Sequence, residues 1–165
     1  MSSDAHHRAD APRVTCGVIT ISDTRSEADD SSGQRIRALL EAHGHRVGYY
    51  RIVKDEPEQI AAVIDAAPAP VEVIICNGGT GVARRDTTYE AITRLLDKEI
   101  PGFGELFRML SYAQVGAAAM LSRATAGVAG RRVIFSVPGS TKAVELAMTD
   151  LILPQLGHVV GLARG

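Results

Sequence analysis

Short runs of apolar residues recur along the chain and predict five β-strands. The first run covers residues 14–21 and is apolar enough to be buried on both faces, as strands of a parallel sheet are. The other runs cover residues 45–53, 71–76, 125–128 and 132–137. The last two are separated by a turn at Gly130 and are short enough for strands rather than helices.

Between these runs, apolar residues follow the three- and four-residue spacing of a helix face. They are Ile36, Leu39 and Leu40; Ile60, Val63 and Ile64; Ile92, Leu95 and Leu96; Phe103, Leu106, Phe107 and Leu110; and Val144, Ala147, Met148 and Leu151. We expect Gly44 to end the first helix and Pro154 to kink or end the last one. Because strands alternate with helices, the pattern predicts an α/β fold whose strands are parallel.

The composition is typical of a soluble globular protein, with 45% hydrophobic and 22% charged residues among 165. We expect a disordered tail over residues 1–12, which are polar and lack periodicity, and a single domain over residues 13–165.

A formal net charge of −1 lacks the basic footprint of a nucleic-acid-binding protein. Without a signal-peptide core or an apolar run near the ~20 residues of a membrane span, the expected location is the cytoplasm. Cys16 and Cys76 lie inside predicted strands and are expected to be buried thiols.

The strand over residues 71–76 ends in a glycine-rich loop, which is the strongest candidate for a functional site. The loop and the charged residues after it are Gly78, Gly79, Thr80, Gly81, Arg84, Arg85 and Asp86. The N–H groups of the glycines can surround an anion, and Thr80 adds a hydroxyl donor. The spacing fits neither a Walker A loop nor a dinucleotide fingerprint. A phosphate with its counter-ion would suit the loop, and the alternative is a tight turn without function.

Two carboxylates near predicted strand ends have competing interpretations. Asp55 precedes a helix and is well placed to cap it, with Glu58 completing a capping box, so local evidence favours the cap over a catalytic role. Asp86 is not needed as a helix cap, because Thr87 can cap the following helix with Glu90 as its partner. We therefore interpret Asp86 as functional.

If the strands are parallel, their carboxyl ends meet at one sheet edge, where open α/β sheets bind ligands. That edge would bring together Ser22, Asp23, Asp55, the glycine loop, and the turn with Pro138, Gly139, Ser140 and Lys142. Lys142 lies in the first turn of a helix, where a cation opposes the helix dipole, so it either faces an anion or is simply solvated. Carboxylates beside a phosphate cradle suggest Mg²⁺, and the implied chemistry is phosphoryl or nucleotidyl transfer.

Three stretches resemble, in the same order, the MoaB/MogA family of molybdenum cofactor biosynthesis proteins. They are Asn-Gly-Gly-Thr-Gly with the Arg-Asp pair in residues 77–86, residues 102–111, and Val-Pro-Gly-Ser-Thr-Lys in residues 137–142. The resemblance runs from about residue 14 to the C-terminal helix and is closest to the MoaB branch. It implies a three-layer α/β/α fold with a mostly parallel sheet that binds molybdopterin, a pterin with a terminal phosphate. Active members transfer AMP from Mg-ATP to that phosphate.

The resemblance also implies roles for individual residues. Asp55 and Asp86 would be catalytic and would bind Mg²⁺. Phosphates of ATP or the pterin would bind Gly78, Gly79, Thr80 and Gly81, with Ser22, Asp23, Arg85 and Lys142 as further binding candidates, while Ser111, Pro138, Gly139 and Ser140 would line the pterin end. Family members form trimers, which MoaB-type members can pair into hexamers, and other cofactor-assembly proteins are candidate partners.

The chain departs from the family at Tyr89, where many relatives have proline, so the helix entry and the pocket wall are expected to differ there. The MoaB branch is also not uniformly active. Three hypotheses therefore stay open: a molybdopterin adenylyltransferase, a carrier that binds molybdopterin without turning over ATP, and an oligomeric scaffold for other assembly proteins.

Overall fold

The computed structural model describes residues 12–165, so the predicted disordered tail, apart from Pro12, lies outside the described residues. The strands of its sheet are β1 Thr15–Ile21, β2 Arg46–Val53, β3 Val73–Asn77, β4 Lys98–Glu99, β5 Thr125–Ala129 and β6 Arg132–Val137. Their order across the sheet is β2-β1-β3-β6-β5-β4. The first four in this order run parallel, and β5 and β4 are antiparallel to their neighbours. The prediction of a mostly parallel sheet is confirmed.

The helices of the described residues are α1 Ser31–Ala42, α2 Pro57–Asp65, α3 Thr88–Thr93, α4 Pro101–Val115, α5 Thr141–Ala147 and α6 Leu153–Arg164. Short 3-10 helices cover Glu27–Asp29 and Gly116–Leu121. A π-helical turn over Met148–Ile152 joins α5 to α6 directly before Pro154. Proline lacks an N–H group and crowds the preceding turn, and the wider turn accommodates it. Pro154 therefore does not end the helix.

The two faces of the sheet pack against different helices. On β3, Val73 and Ile75 point into a core closed by α1, α4, α5 and α6, while Ile74 and Cys76 point into a core closed by α2 and α3. All four side chains are fully buried, as expected of a central strand in a sheet covered on both faces. This arrangement confirms the three-layer α/β/α fold.

Strand β4, Lys98–Glu99, lies between two of the predicted helix faces, where the apolar pattern predicts no strand. Lys98 pairs with Val128 and Glu99 with Gly127 at the antiparallel edge of the sheet. A side chain at Gly127 would collide with the Lys98 carbonyl, so the glycine permits the pairing. Two exposed, charged residues carry no alternating pattern, which explains why periodicity could not detect this strand.

The continuous helical segment Thr141–Arg164 is long and apolar enough, by length and composition alone, to cross a membrane. Core helices of soluble proteins pass the same test. Here the apolar side chains that face the sheet are fully buried, and they are Val144, Ala147, Met148, Ile152, Leu156 and Val160. The segment therefore has the contacts of a core helix.

Candidate functional site

The glycine loop follows β3 and is wedged between the ends of β1 and β6. Gly78 and Gly79 have φ angles of 108° and 68°, which side chains rarely adopt. A side chain on Gly78 would collide with the carbonyl of Ile21 at the end of β1, and a side chain on Gly139 would lie 3.2 Å from the Cα atom of Gly78. The Gly78 N–H group donates to the carbonyl of Val137 at 2.9 Å. It is therefore not free to bind an anion, contrary to the sequence-based expectation for that group.

Asp55 does not cap its own helix, so the capping interpretation is wrong. The N-cap of α2 is Glu56, which makes no side-chain capping bond. Instead, Oδ1 of Asp55 accepts hydrogen bonds from the Thr87 N–H group at 3.1 Å and the Thr87 hydroxyl at 2.8 Å, at the start of α3. Asp55 is only 6% exposed, and a side chain on Gly79 would collide with its Oδ2 atom. The carboxylate thus ties the end of β2 to α3 and lies against the glycine loop.

Asp86 closes the loop and faces it from the other side. Its Oδ2 atom accepts a hydrogen bond from the Ala83 N–H group at 3.0 Å and lies 2.7 Å from where a Gly81 side chain would begin. The predicted capping box of α3 is absent, since Thr87 makes no side-chain capping bond and Glu90 pairs with Arg123 instead. Asp86 is indeed not a helix cap, but it does stabilise the turn that precedes α3.

Asp23 and Arg85 meet although 62 residues separate them. The Arg85 guanidinium makes a two-pronged contact with the Asp23 carboxylate, at 2.8 Å for the shortest pair, and also binds Glu56 at 2.8 Å. The hydrogen bonds from Arg85, and then that from the Asp55 N–H group, hold the pKa of Asp23 below its usual value. Glu56 and Asp23 in turn raise the pKa of Arg85. Two acidic partners therefore share the charge of this arginine, which reduces its availability to a phosphate.

A buried polar network lies beneath the loop. Asp30 is fully buried and accepts hydrogen bonds from the Thr20 hydroxyl at 2.7 Å and the Tyr50 hydroxyl at 2.5 Å. Thr20 in turn accepts one from the Asn77 amide at 3.0 Å, and the Ser32 hydroxyl donates to the Asn77 carbonyl oxygen at 2.7 Å. Burial, followed by the contact with Asp30, raises the pKa of the Tyr50 phenol. The network fixes the last residue of β3, from which the glycine loop departs.

Four other predicted site residues have different surroundings. Ser22 forms a turn, where its hydroxyl oxygen accepts from the Thr24 and Arg25 N–H groups. Ser140 caps α5 by accepting from the Ala143 N–H group at 3.2 Å. None of the hydrogen bonds within residues 12–165 joins Ser111, on α4, to another predicted site residue. Lys142 is exposed and lines a surface depression between α4 and α5 rather than the glycine loop.

The buried thiols are confirmed and offer no nucleophile to this site. Cys76 and Cys16 are both fully buried and free. Burial raises the pKa of each thiol to about 12, so neither forms the reactive thiolate at neutral pH.

A cleft of about 390 Å³ opens beside the loop, and three arginines and two carboxylates line it. Its lining comprises Pro57, Val82, Ala83, Arg84, Asp86, Thr87, Glu90, Arg94 and Arg123. Oδ2 of Asp55 and Oδ1 of Asp86 accept no hydrogen bond from any described residue, so each carboxylate keeps a free oxygen. The described residues contain no group of three or more His, Cys, Asp or Glu side chains that could hold a metal ion alone. Two carboxylates fit an ion that takes its remaining ligands from phosphate and water, as Mg²⁺ does.

Arg123 and Thr88 contact the site but were not predicted from the sequence. Arg123 lies in the connection before β5, between a 3-10 helix and a strand, and no local pattern distinguishes it from a solvated arginine. Thr88 is the first residue of α3 and is fully buried against Gly79 and Asp55. Both residues are recognised as part of the site only from contacts between segments that are far apart in the sequence.

Comparison with known proteins shows the family of the chain. A family model described as a probable molybdopterin binding domain matches residues 17–158. The chain belongs to this family. It is 57% identical over 158 residues to molybdenum cofactor biosynthesis protein B of Halalkalibacterium halodurans, covering 93% of each chain.

Solved structures of this family have the same fold. The crystal structure of a molybdenum cofactor biosynthesis protein B matches with a TM-score of 0.90 and 52% identity, covering 93% of this chain and 98% of the other. A tungsten cofactor synthesizing protein MoaB from Pyrococcus furiosus matches with a TM-score of 0.84 and 40% identity, covering 94% and 100%. The resemblance to MoaB seen in the sequence motifs is confirmed.

Proposed function

We propose that this protein is a molybdopterin adenylyltransferase of molybdenum cofactor biosynthesis, with residues 13–165 acting as one domain. In this reaction an oxygen of the terminal phosphate of molybdopterin bonds to the α-phosphorus of ATP. The bond from that phosphorus to its bridging oxygen breaks, so that pyrophosphate leaves and adenylyl-molybdopterin forms. Family membership and the names of the relatives support the pathway and the pterin.

The observation that carries the proposal is the placement of two carboxylates against one glycine loop at the carboxyl edge of the sheet. Asp55 lies against Gly79 and Asp86 against Gly81, one from the end of β2 and one from the end of the loop itself. Phosphoryl transfer depends mainly on positioning and charge neutralisation rather than on a nucleophile of the protein. A loop whose Gly79, Thr80 and Gly81 N–H groups donate to no described residue, flanked by carboxylates and arginines, meets that requirement.

Mg²⁺ is the cation that this donor set suits best, with Asp55 and Asp86 as the residues that would hold it. When bound, such an ion offsets the charge that develops on the transferred phosphate. Arg84 and Arg94 line the cleft and would orient the outer phosphates of ATP. The backbone of Gly79, Thr80 and Gly81 would approach the transferred group closely, because the two glycines have no side chains to hinder it.

The alternative is a carrier that binds molybdopterin and has no transfer activity. One observation favours it: both carboxylates also have structural contacts, Asp55 with Thr87 and Asp86 with Ala83. A carrier would bind molybdopterin with an affinity that does not depend on Mg²⁺ or ATP. An adenylyltransferase would require both.

Asp86→Asn tests the proposal, because asparagine keeps the shape of the side chain and can still accept the Ala83 hydrogen bond. The protein is incubated with molybdopterin and Mg-ATP, and adenylyl-molybdopterin is quantified by mass spectrometry. We expect the wild type to form the product and Asp86→Asn to form it at least about 100-fold more slowly, the scale of losing one preorganised charge contact at a reacting group. Molybdopterin affinity should change little.

Asp65→Asn is the matched control, since Asp65 is exposed at the end of α2 and should leave transfer unchanged. Normal turnover by Asp86→Asn would show that this carboxylate has been assigned the wrong role. Molybdopterin binding without any product from the wild type would support the carrier instead.

We also propose a homo-oligomer, a trimer or a hexamer, located in the cytoplasm, with other cofactor-assembly proteins as further partners. Exposed apolar side chains support the oligomer. They concentrate on α4 and the 3-10 helix after it and comprise Leu106, Met109, Tyr112, Val115, Met120 and Leu121, named here the α4 apolar surface. Contiguous exposed apolar area on a soluble protein usually marks an interaction site.

A further inference from the structure

Arg123, which the sequence did not predict as a site residue, contacts the glycine loop, the Asp86 backbone and Glu90. Its N–H group donates to the Thr80 carbonyl at 2.8 Å. Its guanidinium donates through Nε to the Gly81 carbonyl at 3.0 Å and through Nη2 to the Asp86 carbonyl at 2.8 Å. Nη1 forms an ion pair with Glu90. One residue from outside the loop therefore holds the loop at both ends.

The segment between these attachment points is otherwise held by the hydrogen bonds between Ala83 and Asp86 and by the Arg85 side chain. Residues 82–85 are all exposed, and the Arg85 side chain turns away to Asp23 and Glu56. Gly81 and Asp86, whose carbonyl oxygens accept the Arg123 hydrogen bonds, flank this exposed segment on either side. A guanidinium suits the task because its donors are coplanar and fixed in direction, whereas an ammonium group is a single point of contact.

Arg123 is itself held in position by neighbouring side chains. Its Cζ atom lies 5.2 Å from the centre of the Tyr89 ring, and its side chain is 27% exposed. The contact with Arg123 is the first cause that lowers the pKa of Glu90. The Tyr89 ring therefore gives the guanidinium a surface on which to stack.

We infer that Arg123 is a positioning residue that fixes the glycine loop and the Asp86 carboxylate. The inference rests on the proposed function for its catalytic consequence, since the loop is taken to bind phosphate and Asp86 to act in transfer. The order of the loop itself does not depend on that function. Loss of the guanidinium frees the Gly81 and Asp86 carbonyls to water, and the exposed segment between them then samples other conformations.

Hydrogen exchange of the ligand-free protein measures this directly. Peptides covering residues 80–90 are compared by mass spectrometry in the wild type, Arg123→Ala and Arg123→Lys. Of residues 81–86, Ala83 and Asp86 have N–H groups bonded within the loop, to the Asp86 carboxylate and the Ala83 carbonyl. We expect these two N–H groups to exchange at least tenfold faster in Arg123→Ala and at an intermediate rate in Arg123→Lys, which can reach only one of the two carbonyls. Arg131→Ala, an exposed arginine at the turn between β5 and β6, is the matched control and should leave these residues unchanged. Unchanged exchange in Arg123→Ala would overturn the inference.

A kinetic comparison separates this inference from the proposed function. If the wild type transfers AMP, Arg123→Ala should lower kcat by about 10- to 100-fold, the effect of a small misplacement of a reacting group. The KM for ATP should stay within about threefold, and Arg123→Lys should recover part of kcat.

If the wild type forms no product, the proposed function fails, and the affinity for molybdopterin becomes the readout, with a loss of about tenfold expected in Arg123→Ala. Normal kcat or normal affinity together with a loosened loop would show that Arg123 has only a structural role.

Discussion

At the scale of single residues, the absence of a side chain at Gly79 lets the Asp55 carboxylate reach the loop. Gly79 combines a positive φ angle with two close neighbours, the Thr88 hydroxyl and the Asp55 carboxylate. A non-glycine residue with this φ angle is strained by about 1–3 kcal/mol even in open space. The position therefore has both a conformational and a steric requirement for glycine.

Gly79→Ala should destabilise the protein and disable the site together. We expect the free energy of unfolding to fall by at least about 1 kcal/mol from the backbone alone, and further because Thr88 and Asp55 must move. Denaturant unfolding measures the first effect, and molybdopterin binding by calorimetry measures the second. Full molybdopterin affinity in a folded Gly79→Ala protein would show that the Asp55 contact does not shape the site.

Gly161→Ala is the control for this substitution. Gly161 lies inside α6, and a side chain there would meet no atom within 4 Å. Alanine is favoured over glycine in a helix interior by about 0.5–1 kcal/mol, so this variant should be slightly more stable than the wild type. Opposite signs for the two glycine substitutions are the expected result.

At the scale of secondary-structure elements, Asp30 connects three of them below the loop. Its Oδ1 atom caps α1 by accepting from the Gly33 N–H group at 3.0 Å, while Oδ2 accepts from Thr20 on β1 and Tyr50 on β2. Arg25 lies 3.7 Å from the same carboxylate and supplies the opposite charge. The amino end of α1 is thereby fixed to the carboxyl ends of the two strands.

Asp30→Asn should therefore cost more than a surface substitution. Asparagine can still cap α1, but an amide donor then faces the two hydroxyl donors of Thr20 and Tyr50. Leaving buried polar groups without partners costs about 1–3 kcal/mol, so we expect a loss of that size in the free energy of unfolding. Denaturant titration of Asp30→Asn beside Asp65→Asn checks this, and a change within about 0.5 kcal/mol for both would contradict it.

The sequence predicted long, periodic elements well and contacts across the fold poorly. The central strand and most of the helix faces followed from apolar spacing, because burial on both sides of a sheet leaves a strong pattern, but Leu106 on the predicted face of α4 is 47% exposed. The cap at Asp55 was wrong because its partner, Thr87, is 32 residues away, and a local motif cannot indicate which helix a carboxylate will meet. The Arg123 contacts were missed for the same reason.

At the scale of the whole molecule, the fold of a single chain leaves one group of large apolar side chains exposed to water. The α4 apolar surface contains Met120 at 77%, Tyr112 at 65% and Met109 at 61% exposure, although the sheet has other helices whose apolar faces are buried. A second copy of the chain covering this surface would remove these side chains from water. Each fully buried side chain of this size contributes about 1.5–3 kcal/mol.

Disruption of this surface should therefore separate the proposed oligomer. Light scattering after size exclusion should give the wild type a mass three or six times that of the 17.5 kDa chain. In Met109→Lys combined with Tyr112→Lys, two charges would be desolvated at the interface, so we expect the mass to fall towards that of one chain. Leu162→Lys changes an equally exposed apolar residue on α6, away from this surface, and should retain the wild-type mass. Separation by Leu162→Lys, with no effect of the double substitution, would place the interface on α6 instead, because a charge disrupts assembly only where the partner excludes water.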